Sequence, residues 1–181
     1  LDLDVKGTLS AYGIEGAFPV LKGDIQDAPA VTKAMAGQEI VLHLAAISGV
    51  EASRLSPWVT WRCNVMGTLV VLETARHTPG VNAVVVASSN HVYGKQKIQP
   101  TDEDAPLNQL DTYSASKIAA DVATRSYAHN YGLPTAVIRN TNCYGPYDPH
   151  GDHIVPGTIQ AVLNGQRPVI RGRGTTKKSY L

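Results

Sequence analysis

The chain has 181 residues, 43% of them hydrophobic and 17% charged, and its 16 Lys and Arg nearly balance its 15 Asp and Glu. This composition argues against disordered and fibrous proteins, and a formal net charge of +1 argues against a nucleic-acid surface. The apolar runs are strand-sized, well short of the ~20 residues that a membrane helix needs. We therefore expect one soluble globular domain.

The two cysteines, Cys63 and Cys143, have neither the spacing of metal ligands nor the density of a disulfide framework. Residues 1–4 lack the basic and apolar regions of a signal peptide. Both features favour a reducing, cytoplasmic location.

Apolar runs predict three buried strands, at residues 40–44, 83–87 and 135–139. The runs are continuous and do not alternate with polar residues, which is typical of a parallel sheet covered on both faces.

Helical patterns separate these strands. Residues 57–76 begin at Pro57, a residue suited to the first position of a helix. Residues 112–131 are followed by Gly132 and Pro134, which end a helix. The succession of strand, helix and strand predicts an α/β fold with a Rossmann-like, doubly wound parallel sheet.

The chain changes character after Asn140. Residues 144–152 are rich in turn-forming residues, and 154–163 predict a short helix. Because loops beyond the carboxyl ends of parallel strands carry ligand sites, we expect a substrate-side region here.

A Tyr and a Lys four residues apart, Tyr113 and Lys117, share one face of the second helix. A phenol with a pKa of about 10 is a weak base at neutral pH, but a nearby ammonium favours its phenolate. Beside a nicotinamide ring this phenolate would take a hydroxyl proton while hydride leaves the same carbon, and Ser89 would hold that hydroxyl. The pair alone is also typical of a solvated helix face. The pattern around Ser89 favours the catalytic interpretation.

Six segments occur in chain order: Gly23-Asp24-Ile25-Gln26-Asp27, His43-Leu44-Ala45-Ala46, Asn64-Val65-Met66-Gly67-Thr68, Ser88-Ser89-Asn90-His91-Val92-Tyr93-Gly94, Tyr113-Ser114-Ala115-Ser116-Lys117, and Arg139-Asn140-Thr141-Asn142-Cys143-Tyr144-Gly145-Pro146. This succession resembles the extended short-chain dehydrogenases, the NAD-dependent nucleotide-sugar epimerases and dehydratases. The resemblance covers nearly the whole chain.

The resemblance implies a reaction. Bound NAD would transiently oxidise a sugar hydroxyl, most often at C4, to a keto group, and epimerisation or loss of water would follow. Tyr113 would be the base, Lys117 would bind the nicotinamide ribose and lower the pKa of Tyr113, and Ser89 would bind the reacting hydroxyl.

The resemblance also implies binding residues. Those for the cofactor are Asp2 at the adenosine ribose, Asp24 and Ile25 at the adenine, and Ala45, Ala46, Ser88 and Lys117 along the rest of NAD. Those for the substrate are Ser89, Asn142 and Lys178. A carboxylate at the ribose disfavours a 2′-phosphate, so Asp2 favours NAD over NADP. Asp4 is an alternative acid, and the nearby Lys6 weakens the argument.

Other polar residues have structural interpretations. His43 is expected to be a buried strand histidine, and Asn64 and Gly67 are expected to serve helix packing. His150 and His153 lack a third soft ligand, which favours a solvated loop over a metal site.

The family's glycine-rich turn is absent, and residues 178–181 resemble the beginning of a further family segment. We therefore interpret the chain as a fragment truncated at both ends, inactive by itself. Residues 1–146 would form the NAD-binding and catalytic domain, and 147–181 the start of the substrate-binding region.

The pair that follows Ser89 leaves the reaction branch open. Dehydratases of this family carry an acid and then Glu or Lys, where this chain has Asn90 and His91. An amide donates no proton as an acid, whereas the imidazole of His91 is a possible acid or base. By contrast, residues 154–159 and 167–171 are most similar to the CDP-glucose 4,6-dehydratase branch.

Two further alternatives stay open: a non-catalytic NAD-binding regulator on the same fold, and an NADP-dependent alcohol or ketone reductase. The expected partners are a nucleotide-sugar and, from the family resemblance, a second copy in a homodimer.

Overall fold

The computed structural model describes residues 9–96, 100–148, 151, 153–169, 172–175 and 178–181. The predicted roles of Asp2, Asp4, Lys6 and His150 lie outside these residues. The chain divides into two compact units: one is Leu21–Asn140, and the other comprises the described parts of Leu1–Val20 and Thr141–Leu181.

The first unit carries most of the regular structure. In chain order it contains α1 (Ala28–Met35), β1 (Ile40–His43), α2 (Val50–Leu55), α3 (Pro57–Trp61), a π-helical segment (Arg62–Gly67), α4 (Thr68–His77), β2 (Ala83–Ala87), a 3-10 helix (Asn90–Tyr93), α5 (Thr112–Tyr131) and β3 (Thr135–Ile138). The second unit contains α6 (Ile154–Leu163).

The three strands form one parallel sheet in the order β1-β2-β3. Val41 lies opposite Val84, and Val86 lies opposite Val137. Helices connect the strands, so the predicted α/β fold with a parallel sheet is confirmed. The parallel arrangement brings the carboxyl ends of all three strands to one edge of the sheet.

The core lies between one face of the sheet and helices α1, α4 and α5. On α4 the buried residues are Thr68, Val71, Leu72 and Ala75, a spacing that follows one face of an α-helix. They meet Val84 and Val86 of the central strand, and Leu133 completes the cluster.

The opposite face of the sheet is exposed in the described part of the chain. Ile40 is 62% exposed, Leu42 65% and Ile138 47%. The apolar runs predicted cover on both faces, and the described residues provide it on one. The strands therefore carry apolar side chains on both faces of the sheet, whereas the described helices pack against one face only.

Both long helices were predicted with nearly correct bounds. The helix that begins at Pro57 ends at His77, but Arg62–Gly67 within it is π-helical. Helix α5 begins after Asp111, whose carboxylate accepts hydrogen bonds from the backbone N–H and the hydroxyl of Ser114. It ends at Gly132, which has the left-handed conformation that a C-terminal glycine allows.

No helix among the described residues is long and apolar enough to cross a membrane.

Leu72 is fully buried and Leu55 is 69% exposed, and both lie on helices of the same unit. We expect Leu72→Ala to lower the free energy of unfolding by about 2–5 kcal/mol, because it removes a packed side chain and leaves a cavity. The matched control Leu55→Ala should change it by less than about 0.5 kcal/mol. Urea unfolding followed by circular dichroism measures both values. Equal effects would contradict this description of the core.

Candidate active site

Two serines follow the central strand at its carboxyl end. The backbone N–H of Ser88 donates to Ile138 O (2.8 Å), and that of Asn90 donates to Asn140 O (2.9 Å), so the chain stays beside β3 past the end of β2. Ser89 Oγ accepts from the backbone N–H of His91 (3.2 Å) and caps the 3-10 helix. Both serine side chains are buried. Ser89 is thereby held at the sheet edge where ligands bind in α/β folds.

Lys117 joins helix α5 to the same edge. Its Nζ donates to Ala87 O, the last residue of β2, over 2.7 Å, and the residue is only 7% exposed. Burial lowers the pKa of Lys117 to about 8, although the negative charge of Cys63 in its ionised form opposes the shift. The ammonium is therefore present at neutral pH and lies among buried groups, ready to donate further hydrogen bonds.

Tyr113 lies one turn before Lys117. Burial raises the pKa of Tyr113 and the charge of Asp111 adds to the rise, while a hydrogen bond with Ser89 lowers it. The resemblance implied that Lys117 lowers this pKa, but burial sets the direction of the net shift in this structure. Tyr113 is therefore a protonated phenol that hydrogen-bonds to Ser89.

His91 lies beside Tyr113. Their ring centroids are 6.1 Å apart and the rings meet edge to face. His91 is exposed and its neighbour Asn90 is half-buried. The structure thus brings together Ser89, Tyr113 and the possible acid or base His91, with Lys117 behind them.

Asn64 has a wider role than the predicted helix packing. Its Oδ1 accepts from the backbone N–H of Ile47 (2.7 Å), and its Nδ2 donates to Ile47 O (3.1 Å) and Ser116 Oγ (2.9 Å). Ser116 Oγ in turn donates to Tyr113 O (2.7 Å). One buried amide therefore connects the loop after β1 to the helix turn that carries Tyr113. The sequence signal was a polar residue inside an otherwise helical pattern.

The structural interpretation of His43 is confirmed. His43 is buried, and its Nε2 lies 2.9 Å from Thr68 Oγ1. Because Thr68 Oγ1 donates its own hydrogen to Asn64 O (2.6 Å), His43 Nε2 must be the donor in this contact. Burial, with a smaller effect of the Lys117 charge, lowers the pKa of His43 to about 4. The ring is neutral and supports the sheet.

The predicted cofactor residues Asp24, Ile25, Ala45 and Ala46 lie in the amino-terminal half of the first unit. Ala45 and Ala46 come after β1, at the same edge as Ser88. Asp24 is exposed and accepts from the backbone N–H of Gln26 (2.9 Å), and Ile25 is half-buried.

Gly67 lets its helix approach Ile25 closely. A Cβ at position 67 would lie 2.5 Å from Ile25 Cδ1. The predicted packing role of Gly67 is confirmed, and the side chain of Ile25 packs directly against the helix at Gly67.

The predicted substrate residues Asn142 and Lys178 belong to the second unit. Asn142 pairs with Tyr180 in an isolated parallel bridge, and its Nδ2 donates to Ser179 O (3.4 Å). Lys178 is exposed. His153 Nδ1 lies 2.8 Å from Asp148 Oδ2, and no group of three metal-ligating side chains occurs among the residues that the structure describes.

Comparison with known proteins gives a consistent result. The profile of the NAD dependent epimerase/dehydratase family matches residues 3–181. A dTDP-glucose 4,6-dehydratase of Streptomyces antibioticus is 37% identical over 180 residues, which are 99% of this chain and 53% of the relative. A UDP-glucose 4-epimerase of Mycolicibacterium smegmatis is 37% identical over 169 residues, which are 91% of this chain and 53% of the relative.

A solved dTDP-glucose 4,6-dehydratase from Streptomyces venezuelae, with NAD bound, superposes with a TM-score of 0.86 at 31% identity. The match covers 97% of this chain and 54% of that structure. The chain therefore spans about half the length of the relatives it matches.

Burial of Lys117 predicts a pH-dependent stability. The unfolded chain keeps this proton up to pH 10.5 and the folded chain only to about 8, so between these values the unfolded state binds more protons. Stability from this group should therefore rise as the pH rises from 8 to 10.5, by at most about 3 kcal/mol. Lys117→Met should remove this rise.

The measurement is urea unfolding across this pH range, and the result is the difference between the wild type and Lys117→Met, since other groups titrate in both. Lys33→Met, at an exposed position of α1, is the matched control and should follow the wild type. The two proteins differ in their free energy of unfolding. If this difference does not change with pH, the ammonium of Lys117 is not buried.

Proposed function

Because the chain belongs to the NAD-dependent epimerase/dehydratase family, we propose that it supplies the catalytic centre of a nucleotide-sugar epimerase or 4,6-dehydratase. The reaction is the transient oxidation of a sugar hydroxyl, at C4, to a keto intermediate. The observation that carries this proposal is the convergence of Ser89, Tyr113 and Lys117 at the carboxyl edge of the sheet, with Lys117 bonded to Ala87 O.

The residues present fit an NAD cofactor. Ser88 Oγ is buried and has no hydrogen-bond partner among the described residues. A buried hydroxyl without a partner is costly, so this atom suits a polar group of a bound ligand. We propose that Ser88, Lys117, Ala45, Ala46, Asp24 and Ile25 hold NAD, with Asp2 at the adenosine ribose. When bound, the cofactor supplies the acceptor for hydride.

The chain's own groups move the proton. Tyr113 takes the proton of the sugar hydroxyl, and Ser89 holds the same oxygen through its hydroxyl. Because burial raises the pKa of Tyr113, this phenolate depends on positive charge nearby. Lys117 is the ammonium that the chain provides, and its pKa of about 8 keeps it charged at neutral pH.

His91 bears on the choice between the two branches. Its ring lies against Tyr113, which supports a second proton transfer and hence loss of water. Asn90 beside it cannot act as an acid, which supports epimerisation. Relatives of both kinds match the chain, a dTDP-glucose dehydratase and a UDP-glucose epimerase. The similarity of residues 154–159 to the CDP-glucose branch, and substrate binding by Asn142 and Lys178, stay proposals.

Domain division and location are proposals of the same kind. We place the NAD-binding and catalytic domain in residues 1–146 and the start of the substrate-binding region in 147–181. We also propose a cytoplasmic location, because Cys63 and Cys143 lack the density of a disulfide framework in the sequence.

A homodimer is proposed from the family resemblance and supported by exposed apolar residues. Helices α3 and α5 contact each other and expose Trp58, Val59 and Val122. Large apolar side chains exposed on neighbouring helices are typical of an interaction surface. A second copy that presents the same helices would cover them by two-fold symmetry.

The first experiment uses the full-length gene product, NAD and a panel of CDP-, UDP-, dTDP- and GDP-hexoses, with products analysed by mass spectrometry. We expect one nucleotide-sugar to lose water or to yield an isomer of unchanged mass. Tyr113→Phe should lower the rate by about 10²–10⁴-fold, because it removes the proton acceptor. Tyr131→Phe, an exposed position at the end of the same helix, is the matched control and should keep full activity.

The products decide between the branches. Loss of water identifies a dehydratase, and His91→Gln should then slow water loss more than oxidation of the substrate. An isomer identifies an epimerase. If no hexose is converted while Tyr113→Phe binds NAD as tightly as the wild type, the regulator alternative replaces the enzyme. Conversion of a non-sugar ketone with NADP would favour the reductase.

The dimer is tested by light scattering coupled to size exclusion. The wild-type gene product should elute at twice its monomer mass. Val122→Glu should raise the dimer dissociation constant at least about 10-fold, since it places a charge in an apolar contact. Leu163→Glu, on an exposed site of α6, is the control and should leave the mass unchanged. A monomeric wild type would reject the dimer.

A further inference from the structure

Arg139, directly after β3, makes a two-pronged ion pair with Asp121 of helix α5. Its Nε donates to Asp121 Oδ2 (2.7 Å) and its Nη2 to Asp121 Oδ1 (3.1 Å). The side chain of Asp121 is fully buried and that of Arg139 is 16% exposed. Such a fork fixes orientation as well as distance, because two parallel hydrogen bonds allow little rotation.

The third nitrogen of Arg139 reaches a different element. Nη1 donates to Tyr93 Oη (2.8 Å) and to Glu103 O (2.6 Å), and Tyr93 Oη donates to Glu103 O (3.3 Å). Tyr93 is buried, and the guanidinium carbon lies 5.3 Å from the centroid of its ring. The hydrogen bond to Asp121 raises the pKa of Arg139, so the guanidinium stays charged.

The two partners of Arg139 stand close in sequence to the reactive groups. Asp121 is one helical turn after Lys117 on α5. Tyr93 is the last residue of the 3-10 helix that Ser89 caps. The guanidinium thus connects the segment of Ser89 to the helix of Lys117.

We propose that Arg139 is a positioning residue, which holds Ser89 at its hydrogen-bonding distance from Tyr113 through Tyr93 and Asp121. The inference rests on the proposed function for its catalytic meaning, but the geometry it describes exists without substrate. Among the residues that the structure describes, the Arg139 side chain donates to Asp121, Tyr93 and Glu103, so its effect on Ser89 and Tyr113 passes through the two elements that it joins.

A second connection makes the inference testable without unfolding the site. Val92 O accepts from the backbone N–H of Asn108 (3.1 Å), which also holds the 3-10 helix near the start of α5. Loss of the Tyr93 hydroxyl should therefore leave the fold in place. It removes the contact that, under this proposal, holds Ser89 in position, so Ser89 should shift. Tyr93→Phe keeps the ring and removes only the atom that Arg139 binds.

The pKa of Tyr113 reports the position of Ser89. The hydrogen bond with Ser89 lowers this pKa against the effects of burial and of Asp111. His91, at ring contact, and Lys117, on the next turn, also lie near the phenol, and Tyr93→Phe changes neither of them. If Ser89 moves away, the pKa of Tyr113 must rise.

The experiment titrates Tyr113 by ultraviolet absorbance in the full-length gene product, as the difference between each protein and the same protein carrying Tyr113→Phe. We expect the pKa of Tyr113 to rise by about half a unit in Tyr93→Phe and by more in Arg139→Lys, where the fork is lost. Arg54→Lys is the matched control, because Arg54 makes the same fork with Glu51 on an exposed pair. It should leave the titration unchanged.

Turnover gives the second readout. Tyr93→Phe should lower kcat about 10-fold with KM within twofold, and the rising limb of the pH profile of kcat should move to higher pH. If Arg139 had a purely structural role, Tyr93→Phe would reduce the fraction of active enzyme and leave the rising limb of the pH profile at the same pH. An unchanged titration in both variants, or an unchanged limb, would overturn the positioning role. An inactive wild type would reject the proposed function, while the titration would still decide the inference.

Discussion

The hydrogen bond from Lys117 Nζ to Ala87 O is the constraint on which the site depends. An ammonium can be buried only where acceptors meet it, and the last carbonyl of the central strand is such an acceptor. The bond determines which face of α5 lies over the sheet and how far along the strand the helix sits. Tyr113 and Ser89 come within reach of one another because both are placed relative to that bond.

A layer of buried polar groups surrounds this bond, and it differs from the apolar core behind it. His43, Thr68, Asn64 and Ser116 form a continuous chain of hydrogen bonds from β1 to α5. Each member satisfies its neighbour, so the layer avoids the penalty of unpaired buried groups. Ser88 Oγ is the exception among the described side chains, and it lies where a ligand is proposed. Apolar packing thus gives the fold its stability, and the polar layer gives the site its geometry.

Local signals allowed much of this structure to be predicted. Gly132 and Pro134 predicted the end of α5, and continuous apolar runs located all three strands. The family motif singled out Ser89, Tyr113 and Lys117, which the structure brings together at the carboxyl edge of the sheet. The sequence did not reveal the Arg139 network, the Asn64 contacts or the upward shift in the pKa of Tyr113. These depend on partners 17 to 52 residues away and on burial, which no local pattern records. The domain division and the catalytic, cofactor and substrate roles of the site residues remain predictions.

The π-helical segment Arg62–Gly67 has a consequence for how this region tolerates change in length. A π turn accommodates one more residue than an α turn, so it takes up an additional residue while the helices before and after it keep nearly the same faces toward their partners. A deletion of one residue within the regular helix α4 would instead rotate the residues on its two sides by about 100° relative to each other. A deletion within Arg62–Gly67 that retains Asn64 would close the wide turn into a regular α-helix with little rotation of α3 relative to α4. The apolar stripe of α4 would then keep its partners, so this segment is where the long helix accepts a change of one residue in length most readily.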